Sequence, residues 1–147
     1  MTTKKKELIV TSALPYANGP LHFGHLLEHI QTDIWVRAQR ILGNHCIYLC
    51  ASDAHGTPIM MKAEEENVPP EKLVDKYMKE HKKTLEAFQV SHDCYYQTHS
   101  EENKKYSELI YNTALKNGYI SKQNIKQLYD QERNLFLADR YVQGLSL

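Results

Sequence analysis

Three short apolar runs limit what this chain can fold into. Leu8-Ile9-Val10, Ile47-Tyr48-Leu49-Cys50-Ala51 and Cys94-Tyr95-Tyr96 read as strands over 7–12, 45–51 and 93–98. The stretches between them are too long for hairpin loops and carry helical periodicity. Leu27, Ile30, Ile34 and Ile41, widened by Leu26, Trp35 and Val36, predict a well-buried helix over 22–42, which Gly43-Asn44 ends. A second helix is expected over 58–66, with Pro58 in its first turn. After Val68-Pro69-Pro70 a third runs to Phe88, with Leu73, Val74, Tyr77, Met78, Leu85 and Phe88 at helical intervals. A fourth starts at a Ser100 cap, with Glu101 and Glu102 in its first turn, and ends at Asn117-Gly118. Its expected inner face is Tyr106, Leu109, Ile110, Thr113 and Ala114. Strands joined through helices imply a parallel sheet with right-handed crossovers. The near-continuous apolar character of the second strand implies cover on both faces. The pattern then changes. Segments 119–120, 125–129 and 134–137 read as short strands around the turn Asp130-Gln131-Glu132-Arg133, as in an inserted β element.

Composition excludes several classes. Of 147 residues, 41% are hydrophobic and 24% charged, as in an ordinary globular domain rather than a disordered chain. No apolar run has the length of a bilayer span, and the basic start Met1–Glu7 precedes a run too short for a signal-peptide core. A cytoplasmic protein with no membrane partner is expected. Lys+Arg and Asp+Glu both count 18, so no overall field draws in nucleic acid. The three cysteines suggest reduced thiols rather than a disulfide framework. Cys46 and Cys50 flank Ile47-Tyr48-Leu49, a spacing without a convincing zinc site, and read as small buried hydrophobes. No metal ligands are expected in this chain.

In a parallel sheet, ligands bind beyond the carboxyl ends of the strands. Two polar loops leave such ends, 13–25 and 52–57, and should face one crevice. The first, Ala13-Leu14-Pro15-Tyr16-Ala17-Asn18-Gly19-Pro20, holds two prolines and an Asn-Gly pair, and runs into His22-Phe23-Gly24-His25 at the helix start. His22 and His25, three apart, project to one side, and Gly24 lets a ligand approach the backbone. Free N–H groups and the helix dipole favour an anion there. Imidazole donors suit charge that builds on a phosphate during displacement of pyrophosphate. The four residues alone are equally consistent with two histidines that merely cap and solvate a helix end.

The wider context is more specific. His-x-Gly-His after a first strand and a Pro/Gly/Asn loop is similar to the signature of class I aminoacyl-tRNA synthetases and related nucleotidylyltransferases. The stretch from Thr11 through Ala13-Leu14-Pro15-Tyr16 and His22-Phe23-Gly24-His25 to Glu28-His29 strongly resembles the start of methionyl-tRNA synthetases. Asp53-Ala54-His55-Gly56-Thr57-Pro58-Ile59 and Thr98-His99-Ser100-Glu101-Glu102-Asn103 match two further blocks, and the resemblance runs from about Leu8 to Gly144. It implies an α/β fold, the first half of a Rossmann-like parallel-sheet nucleotide-binding domain over 8–117. A basic tail, 1–7, precedes this half, and the truncated start of a β-rich connective insertion, 118–147, follows it.

The resemblance also implies a reaction: methionine and ATP, with Mg2+, give methionyl-adenylate, and methionine then passes to tRNA(Met). His22 and His25 would contact the ATP phosphates. The loop Pro15, Tyr16, Ala17, Asn18, Gly19, Pro20, Leu21, His22, Phe23, Gly24 and His25 would wrap the nucleotide, with Glu28 one turn on. Ala13, Leu14 and Tyr16 would touch methionine, and Asp53 would pair with its ammonium group. Against these stand plainer readings: Tyr16 as an ordinary loop aromatic, Asp53 as the cap of the helix at Pro58, His29 and His55 as structural residues. His45, His81 and His92 lack motif context and read as surface or packing residues. Tyr95 and Tyr96 read as core, and Lys79–Lys83 as a solvated helix face.

The chain departs from the family in what it lacks. It contains no Lys-Met-Ser-Lys-Ser loop and no Cys-x-x-Cys of the zinc knuckle expected in a full-length homologue after the stretch matching Asp139–Gly144. Three readings therefore stay open. The chain is a truncated piece of such an enzyme, inactive alone; or a non-catalytic binding remnant; or a compact nucleotidylyltransferase, against which Ala13, Leu14 and Tyr16 argue.

Overall fold

A computed structural model describes residues 5–132 and 134–136. Along the chain come β1 (Glu7–Val10), α1 (Phe23–Ile41), β2 (His45–Ser52), α2 (Thr57–Glu65), α3 (Pro70–Ala87), β3 (Cys94–Gln97) and α4 (Glu101–Lys116). Two short strands follow, β4 (Tyr129–Asp130) and β5 (Leu135–Phe136). β1, β2 and β3 form one parallel sheet in that order, with Leu8 opposite Cys46 and Cys50 opposite Tyr95. The expected alternation of strands and helices is therefore present. β4 and β5 pair antiparallel, Tyr129 opposite Phe136. No helix among the described residues is long and apolar enough to cross a membrane.

The core lies on one face of the sheet. Cys46, Tyr48 and Cys50 of β2 meet Leu26 and Val36 of α1, Leu85 of α3, and Tyr95 of β3. A second cluster joins α2 to α3 through Ile59, Ala63, Leu73, Val74 and Tyr77, with Ala17 and Ala54 from the loops. Asp33 fixes α1 to the approach of β3: it accepts from the Ser91 N–H at 2.8 Å, from the Ser91 hydroxyl and from Arg37 Nε at 2.6 Å. Burial alone would raise the Asp33 carboxyl; those bonds outweigh it and hold it below its ordinary value.

Several expectations need correction. α1 is only half covered. Its buried stripe is Leu26, His29, Asp33 and Val36, whereas Leu27, Ile34, Trp35 and Ile41 are exposed. The sheet sees the side of α1 that carries two polar residues, because each of those finds a hydrogen-bond partner, His29 in buried Ser12 and Asp33 in half-buried Ser91. β2 alternates rather than being covered on both faces, with Leu49 on the open side and Ile9 of β1 exposed near it in the sheet. The expected inner face of α4 is largely open among the described residues: Tyr106, Leu109 and Ile110 are exposed, Ala114 is half-buried, and no residue of the helix is buried. Tyr96 and Phe88 are exposed too, since strand alternation sends Tyr96 opposite to buried Tyr95 and Phe88 lies past the end of α3. Residues 119–128 form no strand, and Asp130, expected in a turn, pairs within β4. Residues 1–4, Arg133, Leu137 and the stretch matching Asp139–Gly144 lie outside the described residues.

Candidate functional site

The two polar loops meet, as their positions at strand ends require. Beyond β1 the chain returns to the sheet at Tyr16, which bridges Asp53 in parallel. The Ala17 N–H donates to the Asp53 carbonyl and the Asp53 N–H to the Pro15 carbonyl, both at 2.8 Å. Ala17 and Pro15 are buried by this zip, while Ala13, Leu14 and Tyr16 stay exposed. Glu28 reaches back from α1, its Oε1 accepting from the Ala13 N–H at 2.6 Å. Its contact is therefore with the backbone of the first expected methionine-site residue.

At the start of α1 the two histidines form a capping box from imidazoles. His22 Nδ1 accepts from the Gly24 N–H at 3.0 Å, and His25 Nδ1 accepts from the His22 N–H at 3.3 Å. The rings stack at 3.7 Å between centroids, 19° from parallel. A neutral imidazole that accepts at Nδ1 carries its proton at Nε2, so each ring keeps one donor for an external acceptor. Burial, then the neighbouring His22, lowers the His25 pKa from its ordinary value, which favours this neutral form. The capping reading and the anion-contact reading are thus compatible. One expectation changes: the Gly24 N–H is not free for an anion, because His22 takes it. Gly24 has a second use. A Cβ there would stand 2.9 Å from His22 Cε1 and 3.1 Å from its Nδ1, where the ring now lies.

Asp53 does not cap α2, whose N-cap is Gly56 with no side-chain bond. Its Oδ1 instead accepts from Thr98 Oγ1 at 3.4 Å, and among the described residues no cation pairs with it. Thr98 Oγ1 also accepts from the Ala54 N–H at 2.9 Å and lies 3.3 Å from His55 Nδ1. His55 Nε2 is 3.2 Å from His99 Nδ1. His55, Thr98 and His99 line a cleft of about 840 Å³ at the start of α4, which His22 and His25 do not line.

Sequence reasoning missed one anchor. His81, expected at the surface or in packing, is fully buried and fastens the first loop. Its Nε2 lies 2.7 Å from the Gly19 carbonyl, which can only accept, so Nε2 donates. Nδ1 then accepts from Ser52 Oγ at 2.9 Å, and Tyr95 Oη donates to Ser52 at 2.9 Å. The signal was present: His81 falls in helical register with Tyr77, Val74 and Leu85, a polar residue on an apolar stripe. His29 is likewise buried, within 3.1 Å of Ser12 Oγ, and burial lowers its pKa.

A short parallel sheet with a His-x-Gly-His helix start beyond its first strand defines the catalytic half-domain of a class I synthetase. The chain belongs to the family described as tRNA synthetases class I (M), which matches residues 8–146. Among solved structures it is similar to the methionyl-tRNA synthetase of Mycobacterium tuberculosis in complex with methionyl-adenylate, at 24% identity and a TM-score of 0.81. That match covers 95% of this chain and 27% of that one. It is also similar to the LeuRS of Agrobacterium radiobacter K84 in a ternary complex with tRNA and LeuAMS, at 19% identity and a TM-score of 0.80. This second match covers 97% and 18% of the two chains. The chain spans about a quarter or less of these structures, and at such identities the likeness is one of fold. Because the neighbours include synthetases for two amino acids, the fold alone does not select methionine.

Proposed function

We propose that this segment supplies the ATP-phosphate and amino-acid contacts of a methionyl-tRNA synthetase, which activates methionine with ATP and transfers it to tRNA(Met) in the cytoplasm. The observation that carries this is the stacked His22–His25 pair, each ring with one donor left over, beside a loop zipped to Asp53. The two Nε2–H groups stabilise charge that grows on the α-phosphate as the methionine carboxylate displaces pyrophosphate. Asp53, which no cation among the described residues pairs with, takes the substrate ammonium. Ala13, held by Glu28, and Leu14 and Tyr16 form the wall for the thioether. The loop 15–25 encloses the nucleotide, and Mg2+ enters with ATP as part of the substrate. The lysine loop and the zinc knuckle that the resemblance implies for a full-length homologue have no counterpart in this sequence, and the segment is expected to need the rest of such an enzyme for activity.

Methionine-dependent exchange of pyrophosphate into ATP tests the proposal in a full-length protein that carries this segment. His22→Ala or His25→Ala should lower turnover roughly 100- to 1,000-fold, as loss of a transition-state donor does, with a smaller change in KM. Unchanged exchange would remove the assigned role. Exchange supported by leucine in preference to methionine would keep the class and overturn the amino acid.

A further inference from the structure

Below the loop that opens the site, three segments distant in sequence bring His29, Cys50 and His92 together. His29 comes from α1, Cys50 from β2, and His92 from the link between α3 and β3. One donor atom of each lies within 4.8 Å of the other two. His29 Nδ1 and His92 Nε2 are 3.3 Å apart. Two imidazole nitrogens on a tetrahedral zinc stand about 3.3 Å apart, and a nitrogen and a thiolate about 3.5 Å, from the usual bond lengths. The nitrogen pair already has coordination spacing. The thiol needs to close by about 1.3 Å at most.

Ser12 faces the same point. Its Oγ lies 3.1 Å from His29 Nδ1 and 3.6 Å from Cys50 Sγ, and is backed by Tyr48 Oη at 2.9 Å. The facing atoms contact one another and Ser12, with Cys50 Sγ also 3.7 Å from the Ser12 carbonyl, so an ion would replace these contacts; His29 Nε2, the nitrogen on the other side of the ring, is buried without a partner among the described residues. His92 is only half-buried, which leaves an approach from solvent.

We propose that His29, Cys50 and His92 bind one borderline-soft divalent cation of the zinc type, with the Ser12 hydroxyl or a water in the fourth position. Two imidazoles and a thiolate select such an ion over magnesium or calcium, which take oxygen ligands. On binding, Cys50 loses its S–H proton to solvent and the sulfur electron pair goes to the metal. The ion would have a structural role, tying α1, β2 and the approach to β3 under Ala13. It differs from a cysteine knuckle, and spacing along the sequence did not show it because only Cys50 lies near another cysteine.

Co2+ titration of the metal-free chain is the test. One equivalent should give a thiolate-to-cobalt charge-transfer band with visible d–d bands, both displaced by Zn2+. Cys50→Ser should abolish the charge-transfer band, and His92→Phe should weaken Co2+ binding at least about tenfold. Cys94→Ser, which alters an exposed thiol outside the cluster, should change neither. A titration without the band, a band that survives Cys50→Ser, or one that disappears with Cys94→Ser would overturn the site. Should Cys50→Ser fail to fold, X-ray absorption of zinc-loaded wild type decides: one sulfur and two imidazole nitrogens are expected, and a shell without sulfur overturns the proposal.

Discussion

Helices α1 and α4 look alike in sequence and sit differently in the fold. Both begin at a side-chain cap and carry apolar residues at helical spacing. α1 lies on the sheet and buries Leu26, His29, Asp33 and Val36, whereas α4 buries nothing among the described residues. Apolar periodicity says that a helix has a side to cover; only the neighbouring elements decide whether it is covered. The layer of α1 and α3 on the sheet should therefore hold the stability of this chain. Leu85→Ala, in that layer at 1% exposure, should cost about 2–5 kcal/mol. Ile110→Ala, on the open side of α4, should stay within about 0.5 kcal/mol of wild type. Urea denaturation measures both. Equal losses would break the comparison, since α4 would then be packed in solution.

What the sequence made legible follows the same line. Strand order, helix positions and the meeting of loops 13–25 and 52–57 were readable, because they depend on local pattern and on the rule that parallel strands share a carboxyl end. The paired histidines were readable from four residues and their flanks. The buried polar knots were not. Ser12, His29, Tyr48 and His92, and likewise Ser52, His81 and Tyr95, are far apart along the chain, and only packing reveals them as partners. The missing cover on α4 and on the open face of β2 could not be read either, since an apolar residue carries no record of its partner.

Asp33 tests whether the polar part of the α1 stripe contributes to the difference. Asp33→Ala would leave the half-buried Ser91 N–H without its acceptor and free Arg37, at a cost of about 1–3 kcal/mol. A neutral result by denaturation would mean that Leu26 and Val36 alone account for the stability of α1.

His81 makes the covered layer sensitive to pH. Burial lowers its pKa, against smaller opposite effects of its bond to the Gly19 carbonyl and of Glu80. Above about pH 6.5, the ordinary histidine value, folded and unfolded chains both carry it neutral and it adds no pH dependence. Below that value the unfolded chain takes up the proton more readily, so stability falls as pH drops and levels off once the folded form also protonates. His81→Gln should flatten this part of the profile. A slope between pH 7 and 5 identical to that of wild type would show that other buried histidines account for all of it.

The smallest effect on stability should come from Gly24, and it separates folding from the site. Alanine inside a helix is worth about 1 kcal/mol over glycine, whereas loss of a cap costs about 0.5–2 kcal/mol. In Gly24→Ala the new Cβ displaces the His22 ring, removing the bond to the residue 24 N–H. The two effects oppose one another, so the urea midpoint should move little. The ring geometry should move a great deal, because the 3.7 Å stack with His25 depends on where His22 now lies. Imidazole NMR signals of His22 and His25 should shift while those of buried His81 stay in place. Unmoved His22 and His25 signals would mean that the glycine is not reserving that space, and the exposed start of α1 would then resemble the ordinary Ser100 cap of α4.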